Sequence, residues 1–282
     1  MYSFNYHRPT SLDAAANLRA DCEDAVFLSG GQTLIPTLKQ RLAAPTDVID
    51  LGSVEGLAGI DVNEKRVVIG AMTRHADVVS DALVAAHAPL LAAATGHVAD
   101  PAVRHRGTLG GALAHADPAG DLAAVALALD AELVAAGPSG RRTIPAADFF
   151  VDFLQTALAP DEILVEVRLP KQQGQWGVHY EKFNRVAQAW AIVGVAAAVR
   201  RENGSIAEAR VGLTNMGSTP VRATGVEAAL AGAAAEAGAI DAAAQHAADG
   251  TSPPSDLNGQ ADYRQHLARV LTRRAVAAAA GL

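Results

Sequence analysis

Hydrophobic and polar positions change period several times along the chain, and the changes mark out three segments. In the first, Leu12, Ala15, Ala16 and Leu18 recur at helical spacing behind Ser11, a favourable N-cap, and predict a helix. Ala25-Val26-Phe27-Leu28 is a short apolar run that ends in Ser29-Gly30-Gly31-Gln32-Thr33 and predicts a buried strand. Leu34, Ile35, Leu38 and Leu42 predict a second amphipathic helix, and Val48-Ile49-Asp50-Leu51 a second strand. A strand–helix–strand order with so short a helix predicts a small parallel unit, residues 1–55.

The second segment, 56–173, alternates differently. Arg66 to Ala71 predicts a strand, and Asp77 to Ala86 and Pro89 to Thr95 predict helices. A glycine-rich turn, Gly107 to Gly111, precedes another helical stretch from Asp121 to Asp130. Glu132–Ala135 and Arg141–Ile144 flank the turn Gly137-Pro138-Ser139-Gly140 as an antiparallel pair. Ile163, Val165, Val167 and Leu169 alternate with Glu162, Glu166 and Arg168, a strand pattern closed by Pro170. The polar stretch Lys171 to Gln175 is the second boundary. The third segment, 177–282, holds two or three strands within Trp176–Phe183, Ala189–Arg201 and Ala207–Thr214. An alanine-rich helical tail follows, in which alanine reads as helix-compatible filler.

Composition narrows the function. The 282 residues contain a single cysteine, Cys22. An iron–sulfur cluster takes about four thiolates, and a zinc knuckle or redox pair at least two. The chain by itself supplies neither, and Cys22 is taken as structural, as are Tyr180 and Trp190. With 23 basic and 30 acidic residues the net charge is −7, which argues against a nucleic-acid surface. No apolar run reaches the roughly 18 residues of a membrane span. The N-terminal Met1-Tyr2-Ser3-Phe4-Asn5-Tyr6 lacks the charge and apolar stretch of a secretion signal, so a cytoplasmic location is expected.

No G-x-S-x-G elbow, H-E-x-x-H pair or phosphate-binding G-x-x-x-x-G-K-S/T loop is present. His105, His115, Asp117 and Asp121 are irregularly spaced, and no metal is expected there. Two glycine turns remain, Ser29-Gly30-Gly31-Gln32-Thr33 and Gly107-Thr108-Leu109-Gly110-Gly111. Consecutive glycines let backbone N–H groups approach an anion, and the helix that follows adds a favourable dipole. Thr33 and Thr108 offer hydroxyls, and a side chain at Gly31 or Gly110 is expected to obstruct a phosphate. One such turn is most simply a tight turn. Two suggest a diphosphate gripped between two subdomains, with its owner left open.

The first turn resembles the A-G-G-H/T/Q-S/T loop of the FAD-binding medium subunit of molybdenum hydroxylases, the family of bacterial carbon monoxide, nicotine and xanthine dehydrogenases. Arg104-His105-Arg106-Gly107-Thr108-Leu109-Gly110-Gly111 is similar to its second loop, usually R-N-R-G-T-I-G-G. The likeness continues through Ala114 to Pro118, Asp121, Pro160 to Leu164, Lys182 to Arg185 and Leu213 to Arg222. His105 replaces a common Asn, and Ala189 replaces an Asp that many members carry before an aromatic residue.

The resemblance implies a two-lobed PCMH-type FAD-binding unit followed by a C-terminal α+β domain, with antiparallel sheet and helices. It implies non-covalent FAD, with the pyrophosphate cradled by Val26, Phe27, Leu28, Ser29, Gly30, Gly31, Gln32 and Thr33, and by Gly107, Thr108, Leu109, Gly110 and Gly111. Val98 and Ala99 would lie against the isoalloxazine. Asp121 and, more weakly, Asp117 would meet the polar chain, Leu164 would pack on the cofactor, and Lys182 would supply a cation. Composition alone gives these a plainer part: Val98, Ala99 and Leu164 as core, Asp121 as a helix N-cap, Lys182 as an exposed strand charge. The implied role is electron transfer. A large molybdopterin subunit oxidises substrate, a small 2Fe-2S subunit relays electrons, and this chain's FAD passes them to an acceptor such as NAD or quinone. The implied assembly is a heterotrimer with a possible dimer of heterotrimers. Two other readings remain at this point, a stand-alone PCMH-type flavin oxidase and a flavin-less assembly scaffold.

Overall fold

The computed structural model describes all 282 residues. Its first part holds β1 (Asn5–His7), α1 (Leu12–Asp21), β2 (Ala25–Leu28), α2 (Leu34–Lys39) and β3 (Asp47–Asp50). Ser11 caps α1 by accepting the Ala14 N–H at 3.2 Å. The three strands form a parallel sheet in the order β1-β3-β2, with both Tyr6 and Val26 beside Val48. Strand β1 leaves no apolar pattern because Asn5-Tyr6-His7 becomes a strand only by pairing with β3. Helix α2 stops earlier than its periodicity predicts. Arg41 turns the backbone left-handed (φ 60°), and Leu42 is left 75% exposed instead of joining the buried face.

The second part contains β4 (Ile60–Val62), β5 (Arg66–Gly70), α3 (His75–Ser80), α4 (Ala82–His87), α5 (Pro89–Gly96), α6 (Pro101–Arg104), α7 (Leu109–His115) and α8 (Asp121–Ala128). After these come β6 (Glu132–Gly137), β7 (Gly140–Pro145), α9 (Ala146–Phe149), β8 (Phe150–Asp152), β9 (Gln155–Thr156) and β10 (Ile163–Pro170). The predicted helix 77–86 is really two. Asp81 interrupts it and accepts the N–H groups of Leu83 and Val84, starting α4. The five-stranded sheet β4-β5-β10-β6-β7 is antiparallel, and β10, the last strand made, inserts at its centre. Val167 lies between Ile69 and Leu133, so the alternation read in the sequence is that of a strand paired on both sides.

The third part contains β11 (Trp176–Phe183), β12 (Val193–Glu202), β13 (Ser205–Thr214), β14 (Val221–Arg222), α10 (Thr224–Leu230), α11 (Ala237–Ala244) and α12 (Ala261–Ala279). Its four strands form one antiparallel sheet in chain order. Alanine here is not filler. Ala197 of β12 and Ala268 and Ala275 of α12 are fully buried in one cluster, and their small size lets α12 lie close on the sheet, while Ala196 and Ala198 are fully buried on its other face. All eight residues of α8 are buried too. This helix is apolar around its circumference because it is enclosed, between α5 on one side and β12 and β13 on the other. Leu122, Val125, Leu133, Val167 and Ala196 belong to one apolar cluster that joins the second part to the third. At about 1.5–3 kcal/mol for each large aliphatic side chain removed from water, that cluster fixes the start of α8 against β11. No helix is long and apolar enough to cross a membrane.

Candidate functional site

The two glycine turns meet in space. A β-carbon on Gly30 would strike the Arg106 carbonyl oxygen and lie 2.6 Å from Gly107 Cα, so backbone touches backbone where no side chain fits. Around them opens a cleft of about 570 Å³. Its lining includes Phe27, Ser29, Gly30, Gly31, Gln32 and Thr33 from the first turn and Gly107, Thr108, Gly110 and Gly111 from the second. Val98, Ala99, Asp117, Asp121, Leu164 and Lys182 also line it. Val26, Leu28 and Leu109 do not. Strand alternation turns Phe27 toward the cleft and its two neighbours away, and Leu109 is 1% exposed in the core beneath.

The turns are not equivalent. In the second, Gly107 N–H donates to Val103 O, Leu109 to Thr73 O, Gly110 to Ala71 O and Gly111 to Thr108 Oγ1, leaving only the Thr108 N–H without a protein acceptor. Gly110 is glycine because α7 rests on Ala71, where a β-carbon would come within 2.7 Å of the Cα and the carbonyl oxygen. Its missing side chain makes room for protein, a packing reason for the glycine that the sequence did not offer. In the first turn, by contrast, the N–H groups of Gly30, Gly31, Gln32, Thr33 and Leu34 have no acceptor in the protein. Gly31 (φ +71°) reverses the backbone curvature within this run, and the Thr33 hydroxyl makes no cap bond. Successive N–H groups around such a reversal form a concavity for anionic oxygen.

The far wall carries a buried charge pair. Asp121 begins α8, with Gly120 as its N-cap, so the carboxylate is free to reach β11 instead of capping the helix. It accepts from Tyr180 Oη at 2.7 Å and from Lys182 Nζ at 2.9 Å, and Lys182 also donates to His97 O at 3.0 Å. The Asp121 and Lys182 side chains are each 3% exposed, so Lys182 is no surface charge. Burial pushes the Asp121 carboxyl up, and the Lys182 ammonium opposes that rise. Burial, then the Asp121 charge, pushes the Tyr180 hydroxyl well up, which keeps it a proton donor to the carboxylate. From sequence alone Tyr180 takes only a structural part, although it precedes Lys182 by two in a strand and so shares its face. Arg104 braces the adjoining wall by donating to Val98 O and Ala99 O, where Ala99 adopts φ 43°. Asp117 closes its own turn by accepting the Ala119 N–H at 2.9 Å. Trp190 is 52% exposed beside Gln188 and Ala189 at the lining's edge. Neither Trp190 nor His75 carries a one-dimensional signal for this position.

His75 is 3% exposed under the second turn, and its Nδ1 has no partner. Burial, with a smaller push from Arg104, lowers its pKa from 6.5 to about 4. Between those values the unfolded chain binds a proton that folded His75 refuses, so stability falls as pH drops from about 6.5 toward 4. The full shift is worth about 3 kcal/mol. Urea unfolding at pH 7 and pH 5 is expected to show wild type losing about 2 kcal/mol more than His75→Gln over that interval. Equal losses would mean that the imidazole protonates freely in the fold.

A family model described as the FAD binding domain in molybdopterin dehydrogenase matches residues 2–172, and one described as the CO dehydrogenase flavoprotein C-terminal domain matches 178–279. The chain belongs to this flavoprotein family. Within it, the carbon monoxide dehydrogenase medium chain of Hydrogenophaga pseudoflava is 40% identical over 277 residues, 98% of this chain and 96% of that one. The nicotine 6-hydroxylase medium subunit of Paenarthrobacter nicotinovorans is 37% identical, covering 97% of this chain and 96% of its own. The solved carbon monoxide dehydrogenase of Hydrogenophaga pseudoflava, in a form lacking the Mo-pyranopterin moiety, superposes with a TM-score of 0.95 at 42% identity, over 98% of this chain and 96% of that one. The flavoprotein chain is thus a medium FAD-binding subunit of the molybdenum hydroxylase type, and its relatives are oxidoreductase subunits.

The donor set fits FAD. Five N–H groups without acceptors suit the two anionic phosphates, and the apolar wall at Val98, Ala99 and Leu164 suits a flat ring.

Proposed function

We propose that this chain passes electrons from a 2Fe-2S partner subunit, through non-covalent FAD held in the cleft, to an external acceptor such as NAD or quinone. The run of free N–H groups from Gly30 to Leu34 on the cleft carries the reading. Bound there, the flavin supplies redox chemistry that takes up electrons singly and gives them out in pairs. The protein's part is to bind and hold. Gly30 to Thr33, with Thr108, hold the pyrophosphate, while Val98, Ala99 and Leu164 flank the ring. Asp121 and Lys182 lock the start of α8 to β11 and, through His97 O, the segment carrying Val98 and Ala99. Asp117 lies toward the polar chain. The substrate would be oxidised on a large molybdopterin subunit, within a cytoplasmic heterotrimer that can pair with a second. The one cysteine supports this division of labour, since no cluster can be ligated by this chain alone.

Purified alone, the chain is expected to be yellow, to contain no iron or molybdenum, and to release all its flavin into the supernatant on acid precipitation. Its flavin should bleach with dithionite but not with small organic substrates. Co-expressed with a molybdopterin chain and a 2Fe-2S chain, it should bleach anaerobically with substrate. Bleaching of the metal-free chain by a substrate would replace this reading with the stand-alone oxidase. A colourless chain that still assembles would replace it with the scaffold.

A further inference from the structure

The single cysteine does not stand alone in the folded chain. Cys22 Sγ, a ring nitrogen of His7 and an Asp47 carboxylate oxygen lie within 4.8 Å of one another, brought together from the end of α1, from β1 and from the start of β3. None of the three lines the flavin cleft. Cys22 precedes β2, whereas the Gly30 turn follows it, so the cluster and the cleft lie at opposite ends of the same strand. From this juxtaposition we infer that the three side chains form a binding site for one zinc-type divalent transition ion, separate from the flavin.

The donor set is the one such an ion prefers. A thiolate, an imidazole nitrogen and a carboxylate oxygen are all zinc ligands, at about 2.3, 2.0 and 2.1 Å. The thiolate also selects against magnesium and calcium, which take oxygen donors. Two ligands on a tetrahedral ion sit about 3.3–3.6 Å apart, so three donor atoms already within 4.8 Å need only side-chain adjustment. His7 Nε2 now donates to Asp47 Oδ1 at 2.7 Å; for ligation the ring proton shifts to Nδ1 and the freed Nε2 lone pair goes to the metal. The carboxylate is already aimed, because Asn5 Nδ2 donates to Oδ1 at 3.1 Å and Thr46 Oγ1 to Oδ2 at 2.8 Å, the outer bonds that orient a metal ligand. His7 keeps 28% side-chain exposure and Asp47 11%, which gives the ion a route in and leaves water for the fourth position. Binding displaces the thiol proton to solvent, so the site takes up one ion and releases one proton.

A nucleophilic role for the same cluster fits less well. Burial and then the Asp47 charge push the Cys22 thiol up, the reverse of an activated cysteine.

The test uses untagged, flavin-loaded full-length protein stripped with a chelator. Cobalt(II) serves as the optical probe in the 600–700 nm region, beyond flavin absorption, and zinc(II) as the competitor. The expected result is one cobalt per chain with the intense red-region bands of a tetrahedral thiolate site, abolished by stoichiometric zinc. Cys22→Ser should remove the bands, and Cys22→Ser and His7→Gln should each weaken zinc binding at least ~10-fold, with flavin content unchanged. Failure to bind a stoichiometric ion, or zinc affinity unaltered by both substitutions, would overturn the assignment. Flavin content is read from the same samples, so loss of the metal site and loss of the flavin reading are separate outcomes.

Discussion

Lys182→Met is expected to lower the unfolding free energy of the flavin-free chain by about 3–5 kcal/mol, the range for removing one partner of a buried ion pair. The mutation strands the Asp121 carboxylate, whose side chain is 3% exposed, with only the Tyr180 hydroxyl for company. It also leaves the His97 carbonyl without its donor. A second change, Asp121→Asn, removes the stranded charge while keeping an acceptor for Tyr180, and the double variant should recover most of the loss. The measurement is a double-mutant cycle by urea unfolding. A single-variant loss below about 1 kcal/mol would place the pair in solvent, where such contacts contribute little. Because the pair joins α8 to β11 and holds His97, the single variant should also bind FAD more weakly.

The second large effect is expected at the contact between the two turns. Gly30→Ala places a methyl group against Arg106 O and Gly107 Cα, both main-chain atoms with no rotamer to adopt. Overpacking of this kind costs about 1–3 kcal/mol, and here it opens the loop that carries the free N–H groups. FAD affinity should fall roughly 5- to 150-fold by the same arithmetic. Gly238→Ala is the control, since a β-carbon there meets nothing within 4 Å on α11, and flavin affinity should be unchanged. Isothermal titration of the flavin-free proteins with FAD makes the comparison. Equal affinity for Gly30→Ala and wild type would separate the first turn from the pyrophosphate.

These predictions rest on features of very different visibility in the sequence. Local physics determined a good deal by itself. Ser11 begins a helix because it has a side-chain oxygen to give to an orphan N–H. The alternation from Ile163 to Leu169 is a strand because residues two apart share a face. The two glycine turns could be found in one dimension, and so could their order and their resemblance to a known family. What no one-dimensional pattern contains is the partner of each group. Gly30 and Gly110 look alike in the sequence, yet one borders a row of free N–H groups and the other makes room for Ala71. Lys182 has the spacing of a surface charge and becomes buried only because α8, apolar on every side, is enclosed between α5 and the third sheet and delivers Asp121 to it. Cys22 is one residue of an unremarkable helix end until the parallel pairing of β1 with β3 sets His7 and Asp47 beside it. Backbone conformation follows from neighbours a few residues away, and the chain states it directly. Desolvation, close approach and ligand geometry depend on groups far apart in sequence, and only the packed tertiary structure decides them.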